Sequence, residues 1–278
     1  MKRIFAVNDM SGIGKCSLTA AIPVISAAGM ECNPIPTAVL STHTGNIEGY
    51  TFRDLTDDII PYIRHWEKIG VKPDTIYSGY LGSKKQIDSV IEIIKTFKSD
   101  NTLVIVDPAM ADSGEMYKGF DTSFADDMRK LCELADVITP NITEAAFLTG
   151  QSYRENFDKE YTDLLLDSIK ELTSGYAVIT GISDIPGKTG CLVYDIKSDI
   201  KKYFSTPKCG GIYYGTGDIF TSVLAAMMTK GKTCFESAEI ALDFTYKSIL
   251  ETFNEGTDPR LGVAFEKYLY LLSKEGQK

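Results

Sequence analysis

The run Thr102-Leu103-Val104-Ile105-Val106-Asp107 places four apolar residues in a row, three of them β-branched, directly before an aspartate. No polar position alternates with them, so as a strand this segment must be covered on both faces. DVIT at 136–139 and AVIT at 177–180 read the same way. Further short apolar or β-branched runs lie at 3–8, 33–39, 74–79 and 190–195, and the AVIT strand begins at Tyr176. Between them the pattern changes period. Leu18, Ala21, Ile22 and Ile25 recur at i, i+3, i+4 and i+7, as do Ile87, Val90, Ile91 and Ile94, the spacing of a helix with one apolar face. Pro23 inside the first of these predicts a bend. Strands alternating with helices predict an α/β fold, a mostly parallel sheet wrapped by helices. Without a Ser/Gly-rich linker, low-complexity segment or internal repeat, one domain over residues 1–278 is expected.

In such a sheet ligands collect beyond the carboxyl ends of the strands. The residues there are polar and turn-prone: Asn8-Asp9-Met10-Ser11-Gly12, Ser41-Thr42-His43-Thr44-Gly45, Gly79-Tyr80, Asp107-Pro108, Thr139-Pro140-Asn141 and Thr180-Gly181. Any one of these suits an ordinary turn. Six on one edge predict a site. Two Gly-containing loops, 45–50 and 112–119, are candidates to cover it.

Composition narrows the chemistry. The chain has 278 residues, and 29 Lys+Arg against 38 Asp+Glu give a net charge of -9. A sequence-independent nucleic-acid partner needs a basic face and is not expected. The six cysteines form no CxxC pair, and with only His43 and His65 no zinc-ligand spacing is present. Reduced thiols in a cytoplasmic protein are the simplest reading. The N-terminal stretch lacks the apolar run of a signal peptide, and no run approaches the roughly 18 apolar residues of a membrane span.

The most informative local motif is Gly215-Thr216-Gly217-Asp218, followed by the helical stripe Ile219, Phe220, Val223, Leu224, Met227 and Met228. Glycines at a helix N-terminus leave free N–H groups and the positive end of the helix dipole facing an anion. A carboxylate beside that anion suits the removal of a proton from an attacking hydroxyl; the bland alternative is a dipole-favoured Asp in the first turn. Asn141 and Glu144, entering an apolar stretch at 145–148, have the spacing of a capping pair and could also serve a hydrated magnesium or a phosphate. Asp107 and Asp112 flank a proline-containing turn, where a cation between them is one reading and simple solvation of Asp112 the other. SGIGKCS is set aside as a phosphate loop, because Asp9 stands at the first glycine position and Cys16 at the magnesium-binding hydroxyl. The dinucleotide fingerprint fails too, with Ser17 in place of its third glycine.

Taken in order, DxSGxG, STHTG, SGY, DPxxxD, TPNxxE and GTGD resemble the vitamin kinases of the ribokinase-like superfamily, and most closely its pyridoxal kinases. The resemblance runs from Ile4 to about Phe253. It implies a three-layer α/β/α sandwich, ATP-dependent phosphorylation of the 5′-hydroxymethyl group of a B6 vitamer, and a homodimer. It assigns Asp218 as general base and the N–H groups of Gly215, Thr216 and Gly217 as the anion hole. Ser11, Thr44 and Tyr80 would contact the vitamer, with His43 ordering their loop. Asp107, Thr139 and Glu144 would organise Mg²⁺ and a monovalent cation such as K⁺, and Asn141 and Thr180 would lie near the nucleotide phosphates. The 112–119 loop would close over ATP. Gly12 stands where pyridoxal kinases commonly carry His, and DMSGIG is nearer the loop of hydroxymethylpyrimidine kinases, which keeps that substrate as an alternative. An inactive relative that binds pyridoxal phosphate is a third reading, against which stand the intact Asp218 and its glycines. Tyr213 and Tyr214 are bulkier than the motif suggests and would pack on adenine or fill core.

Overall fold

The computed structural model describes residues 1–155 and 158–275; residues 156–157 and 276–278 of the expected domain lie outside the described residues. The chain begins with β1 (Arg3–Ile13), α1 (Leu18–Ala27) and β2 (Glu31–Thr42), then a short β3 (Phe52–Asp54). There follow α2 (Thr56–Lys68), β4 (Thr75–Ser78), α3 (Lys84–Phe97) and β5 (Leu103–Val106). A small hairpin, β6 (Ala111–Asp112) and β7 (Glu115–Met116), precedes α4 (Thr122–Cys132) and β8 (Val137–Ile138). Next come α5 (Ile142–Thr149), α6 (Lys159–Ile169), β9 (Tyr176–Thr180), β10 (Lys188–Asp195) and β11 (Ile200–Pro207). Three helices finish the described chain: α7 (Thr216–Lys230), α8 (Cys234–Glu255) and α9 (Leu269–Lys274).

Nine strands form one sheet in the order β11-β10-β9-β8-β5-β4-β1-β2-β3. The run from β9 to β2 is parallel throughout, while β3 joins β2, and β10 joins β9 and β11, in antiparallel pairs. The expected strand at 190–195 therefore runs against its neighbours. All six strand ends singled out from the sequence belong to the parallel set and share one edge.

Coverage on both faces is real. Phe5 and Val7 of β1, Val104 and Val106 of β5, and Ala177 and Ile179 of β9 pack on the side of α2 to α6. Their alternates Ile4, Ala6, Ile105 and Val178 pack on the side of α1, α7 and α8. Period-two alternation with both faces apolar thus builds two cores from the same strands, giving the three-layer α/β/α sandwich. Pro34 and Pro36 lie on the part of β2 that β3 does not reach, since β3 pairs only with Ala38, Val39 and Leu40. On an open edge their missing N–H groups cost no ladder bond. All six cysteines are free thiols, four of them buried. Among the described residues no helix is long and apolar enough to cross a membrane.

Two expectations need correction. The segment 8–12 is not a turn: β1 continues through it to Ile13, with a register shift between Asn8 and Met10. The 112–119 loop is partly structured, its first residues belonging to the β6–β7 hairpin.

The core under α2 and α3 rests on Phe5, whose ring lies 4.7 Å from that of Trp66 and 5.2 Å, edge-on, from that of Phe97. Phe5→Ala removes a fully buried ring joining the sheet to both helices, and a loss of about 3–5 kcal/mol is expected. Urea unfolding checks this, with the midpoint falling and the slope unchanged.

Candidate active site

The register shift in β1 re-aims its last residues toward the sheet edge, as bulges beside active sites do. Asn8 is fully buried there, and its amide Nδ2 donates to Asp218 Oδ1 at 3.1 Å. Asp9 is buried beside it and accepts from the hydroxyls of Ser11 (2.9 Å) and Ser17. Burial raises the Asp9 carboxyl, and these hydroxyls partly offset the shift. After β1 the chain turns back through Lys15 (φ 48°) and Ser17 (φ 56°). Left-handed backbone at two non-glycine residues is strain that the surroundings must impose. Here it brings the Ser17 N–H to bear on Asp218.

Asp218 sits in the first turn of α7, whose N-cap is Gly215. Gly215 has φ 77°, and a Cβ there would lie 2.5 Å from the Lys15 carbonyl oxygen, so only glycine fits. Gly215 carries no side chain with which to cap α7. The N–H groups around Thr216 and Gly217 are accordingly left for an anion. Burial lifts the Asp218 carboxyl to about 6; the nearby Asp9 adds to the rise, while the Ser17 N–H and the Asn8 amide oppose it.

Two further carboxyl groups share this field. Asp107, after β5, accepts from Thr221 Oγ1 at 3.1 Å, and Thr221 lies 3.1 Å from the hydroxyl of Thr139 after β8. Glu144 accepts from the N–H groups of Met110 (3.1 Å) and Asn141 (2.8 Å). Burial raises Asp107, with the Asp218 charge adding; burial also raises Glu144, with Asp107 adding. Among the described residues no lysine or arginine side chain contributes to the shift of any of the three.

This donor set fits a hydrated divalent cation. Asp107 keeps an oxygen without a protein partner, and the described residues form no cluster of three or more His, Cys, Asp or Glu that would cage a bare ion. Mg²⁺ binds in just this way, through one or two carboxylates with its waters retained.

Asn141 and Glu144 form a complete capping box at the start of α5. The Asn141 amide also donates to the Ala111 carbonyl at 2.8 Å, holding the β6–β7 hairpin beside the carboxylates. Thr180 pairs with this turn, its N–H donating to the Pro140 carbonyl at 2.9 Å.

The other expected ligand residues line the neighbouring strand ends. Tyr80 stacks on Phe120 at 5.8 Å and lies 6.4 Å from Tyr117. Burial pushes its hydroxyl up to about 12, with Asp9 adding to the rise. Thr44 is exposed on its loop. Ser11 is fully buried with its hydroxyl on Asp9, beneath the edge rather than on its surface. His43 is internal as well. Its Nε2–H donates to the Arg260 carbonyl, its Nδ1 accepts from the Gly45 N–H at 3.0 Å, and Tyr214 stacks on it at 5.1 Å. With both ring nitrogens engaged, His43 orders the loop and has no polar atom left for a ligand. Tyr214 thus belongs to that loop, and Tyr213 packs against the core on the α7 side. Lys15 forms an ion pair with Glu266 at 2.9 Å.

Sequence reasoning missed four residues that the fold brings here. Asn8 and Asp9 were read as turn formers, and Thr221 is hidden in the apolar stripe of α7. Tyr117 follows the hairpin; burial raises its hydroxyl, and Glu144, Asp112, Asp107 and Asp218 add to that, which places it beside the carboxylates.

Comparison with known proteins identifies the relatives of this chain. The model of the phosphomethylpyrimidine kinase family matches residues 14–260. A Bacteroides thetaiotaomicron protein assigned as a phosphomethylpyrimidine kinase superimposes with a TM-score of 0.93 at 37% identity, covering 98% of this chain and 93% of that one. An orthorhombic form of it, with pyridoxal, gives a TM-score of 0.92 at the same identity, covering 98% and 95%. Pyridoxal kinase from Lactobacillus plantarum gives 0.91 at 29% identity, covering 98% and 96%. A family model spanning most of the chain, and a solved relative sharing over a third of its residues, establish that this protein belongs to the phosphomethylpyrimidine kinase family, within the ribokinase-like superfamily that also holds its pyridoxal kinase relatives.

Proposed function

We propose that this protein is a pyridoxal kinase, transferring the γ-phosphoryl group of ATP to the 5′-hydroxymethyl group of pyridoxal, pyridoxine or pyridoxamine. The observation that carries the reading is Asp218: a half-buried carboxyl in the first turn of an uncapped helix, where a proton acceptor and an anion site coincide. The hydroxymethylpyrimidine alternative raised by DMSGIG is not favoured. The relative at 37% identity was crystallised with pyridoxal, and the Lactobacillus plantarum relative is a pyridoxal kinase.

In this reading Asp218 accepts the proton of the 5′-hydroxyl as its oxygen attacks the γ-phosphorus and the bond to the ADP oxygen breaks. The N–H groups of Gly215, Thr216 and Gly217 meet the charge growing on the equatorial oxygens, and donors fixed in advance act most strongly there. Thr44 and Tyr80 hold the vitamer ring on the side of β2 and β4. Ser11, expected at the ring, instead supports the site from beneath, with its hydroxyl on the buried Asp9. Asn141 and Thr180 mark the nucleotide side, and the β6–β7 hairpin covers it, keeping water from the phosphoryl group. Asp107 would hold Mg²⁺ directly and Glu144 through its waters; when bound, that ion neutralises charge on the phosphates. The hydroxyl of Thr139 suits a neighbouring K⁺.

The whole of 1–278 acts as one kinase domain in this reading, in the reducing cytoplasm that its free thiols suit. It works as a homodimer, supported by the exposed apolar side chains Met10, Ile13, Val39 and Phe52 along β1, β2 and β3.

Phosphate transfer from ATP to a panel of pyridoxal, pyridoxine, pyridoxamine and hydroxymethylpyrimidine tests the assignment. The three vitamers are expected to be phosphorylated in preference to the pyrimidine, and the reverse order would replace the substrate while leaving the reaction type. A second prediction concerns the base. Below about 6 Asp218 is protonated and cannot accept, so kcat falls as pH drops through that value and levels off above it. Asp218→Asn should lower kcat by about 10²–10⁴-fold, keep ATP binding, and lose the acid limb of the pH–rate profile.

A further inference from the structure

Asn8 meets the proposed base from the strand opposite α7, and neither the family motifs nor the reaction scheme gives it a part. It is fully buried at the bulge of β1, facing Asp218 across 3.1 Å. Its orientation is fixed, because Oδ1 accepts the Asp9 N–H at 3.0 Å and the NH₂ must then point at the carboxylate. The third wall of this pocket is Gly79, at the end of β4. A Cβ on Gly79 would lie 2.1 Å from Asn8 Nδ2 and 2.7 Å from its Cγ. The Gly79 backbone lies outside the left-handed region, so its conformation would accept any residue. The three atoms nearest to such a Cβ all belong to the Asn8 amide, which demands a glycine there.

We infer that Asn8 is a positioning residue for Asp218, and that Gly79 is glycine to leave room for the amide that does it. The inference rests on Asp218 being the base. The amide donates to one carboxylate oxygen and so fixes the plane of the group, which leaves the remaining lone pairs aimed where the 5′-hydroxyl must arrive. A carboxylate free to rotate would spend much of its time misaligned, and small errors of aim at a reacting atom are costly in rate. The effect falls on turnover and not on binding, since Asn8 is sealed from the cleft surface.

The test compares Asn8→Ala, Asn8→Asp and Gly79→Ala by steady-state kinetics with pyridoxal and ATP, each alone and with Asp218→Asn. Asn8→Asp keeps the shape while removing the donor, and Gly79→Ala disturbs the amide without altering β1, so the set survives a single variant that does not fold. Each is expected to lower kcat by about 10- to 100-fold, the range of a hydrogen bond to a charged group, with both KM values within about twofold. Added to Asp218→Asn, none should lower the residual rate further, and Gly79→Ala should cost nothing extra in Asn8→Ala, where its methyl group has space. Normal kcat in folded Asn8→Ala and Gly79→Ala would overturn the inference. So would a loss confined to KM, or a loss repeated in full beside Asp218→Asn. Asp218→Asn alone separates the two levels: if it keeps its turnover the base assignment falls, and if it loses turnover while the Asn8 and Gly79 variants keep theirs, only the positioning role falls.

Discussion

Asp107 and Glu144 lie buried and Asp218 half-buried beside them, the charge of Asp218 acting on Asp107 and that of Asp107 on Glu144, and among the described residues no lysine or arginine contributes to offset them. Taking a carboxylate out of water without a partner costs on the order of several kcal/mol even after relaxation. Dipoles aimed at each group make the arrangement tolerable, and burial raises all three carboxyl groups toward the protonated form. Asp218 has the Asn8 amide, Asp107 the Thr221 hydroxyl, and Glu144 the N–H groups of Met110 and Asn141. Such a cluster is poor structural material; in the proposed reaction a divalent ion and a polyphosphate would complete it together.

The sheet makes this possible by being expensive to distort. Its inner strands carry large apolar residues on both faces, so their ends are fixed by two cores at once. Strained backbone at Lys15 and Ser17 persists because its neighbours hold it: Ser17 donates to Asp9, Lys15 pairs with Glu266, and Gly215 packs against the Lys15 carbonyl. A flexible edge would relax these torsions and release Asp218.

The sequence is explicit about some of this and silent about the rest, for physical reasons. Buried parallel strands announce themselves as apolar runs, which is why TLVIVD, DVIT and AVIT were legible, and a glycine pair opening an apolar stripe announces a helix N-terminus. Edge strands do not: β11 reads IKKYFSTP, with Ile200, Lys201 and Lys202 exposed, and β3 is exposed at all three residues. The continuation of β1 through Asn8, Asp9 and Ser11 was invisible because those residues are turn formers that only tertiary pairing with β2 keeps extended. Helix α8 carried a signal that was passed over, the capping box of Thr233 and Glu236. Thr221 and Tyr117 had none, since a hydroxyl inside an apolar stripe or a covering loop acquires its partners only once the chain is folded.

His43 shows how far a motif differs from a contact. Its place in the HTG segment sets it beside the ligand residues as the group ordering their loop, and both ring nitrogens are spent on Arg260 and Gly45, with its ring against Tyr214. The segment around Arg260 thereby reaches the loop after β2, while Tyr214 ties that loop to the turn before α7. The histidine thus joins the loop carrying Thr44 to the helix carrying Asp218, two elements far apart in the chain that must converge on one substrate. A residue with this duty serves the site through geometry: in the proposed reaction it sets the distance between the ring of the vitamer and the carboxyl group assigned to its hydroxyl.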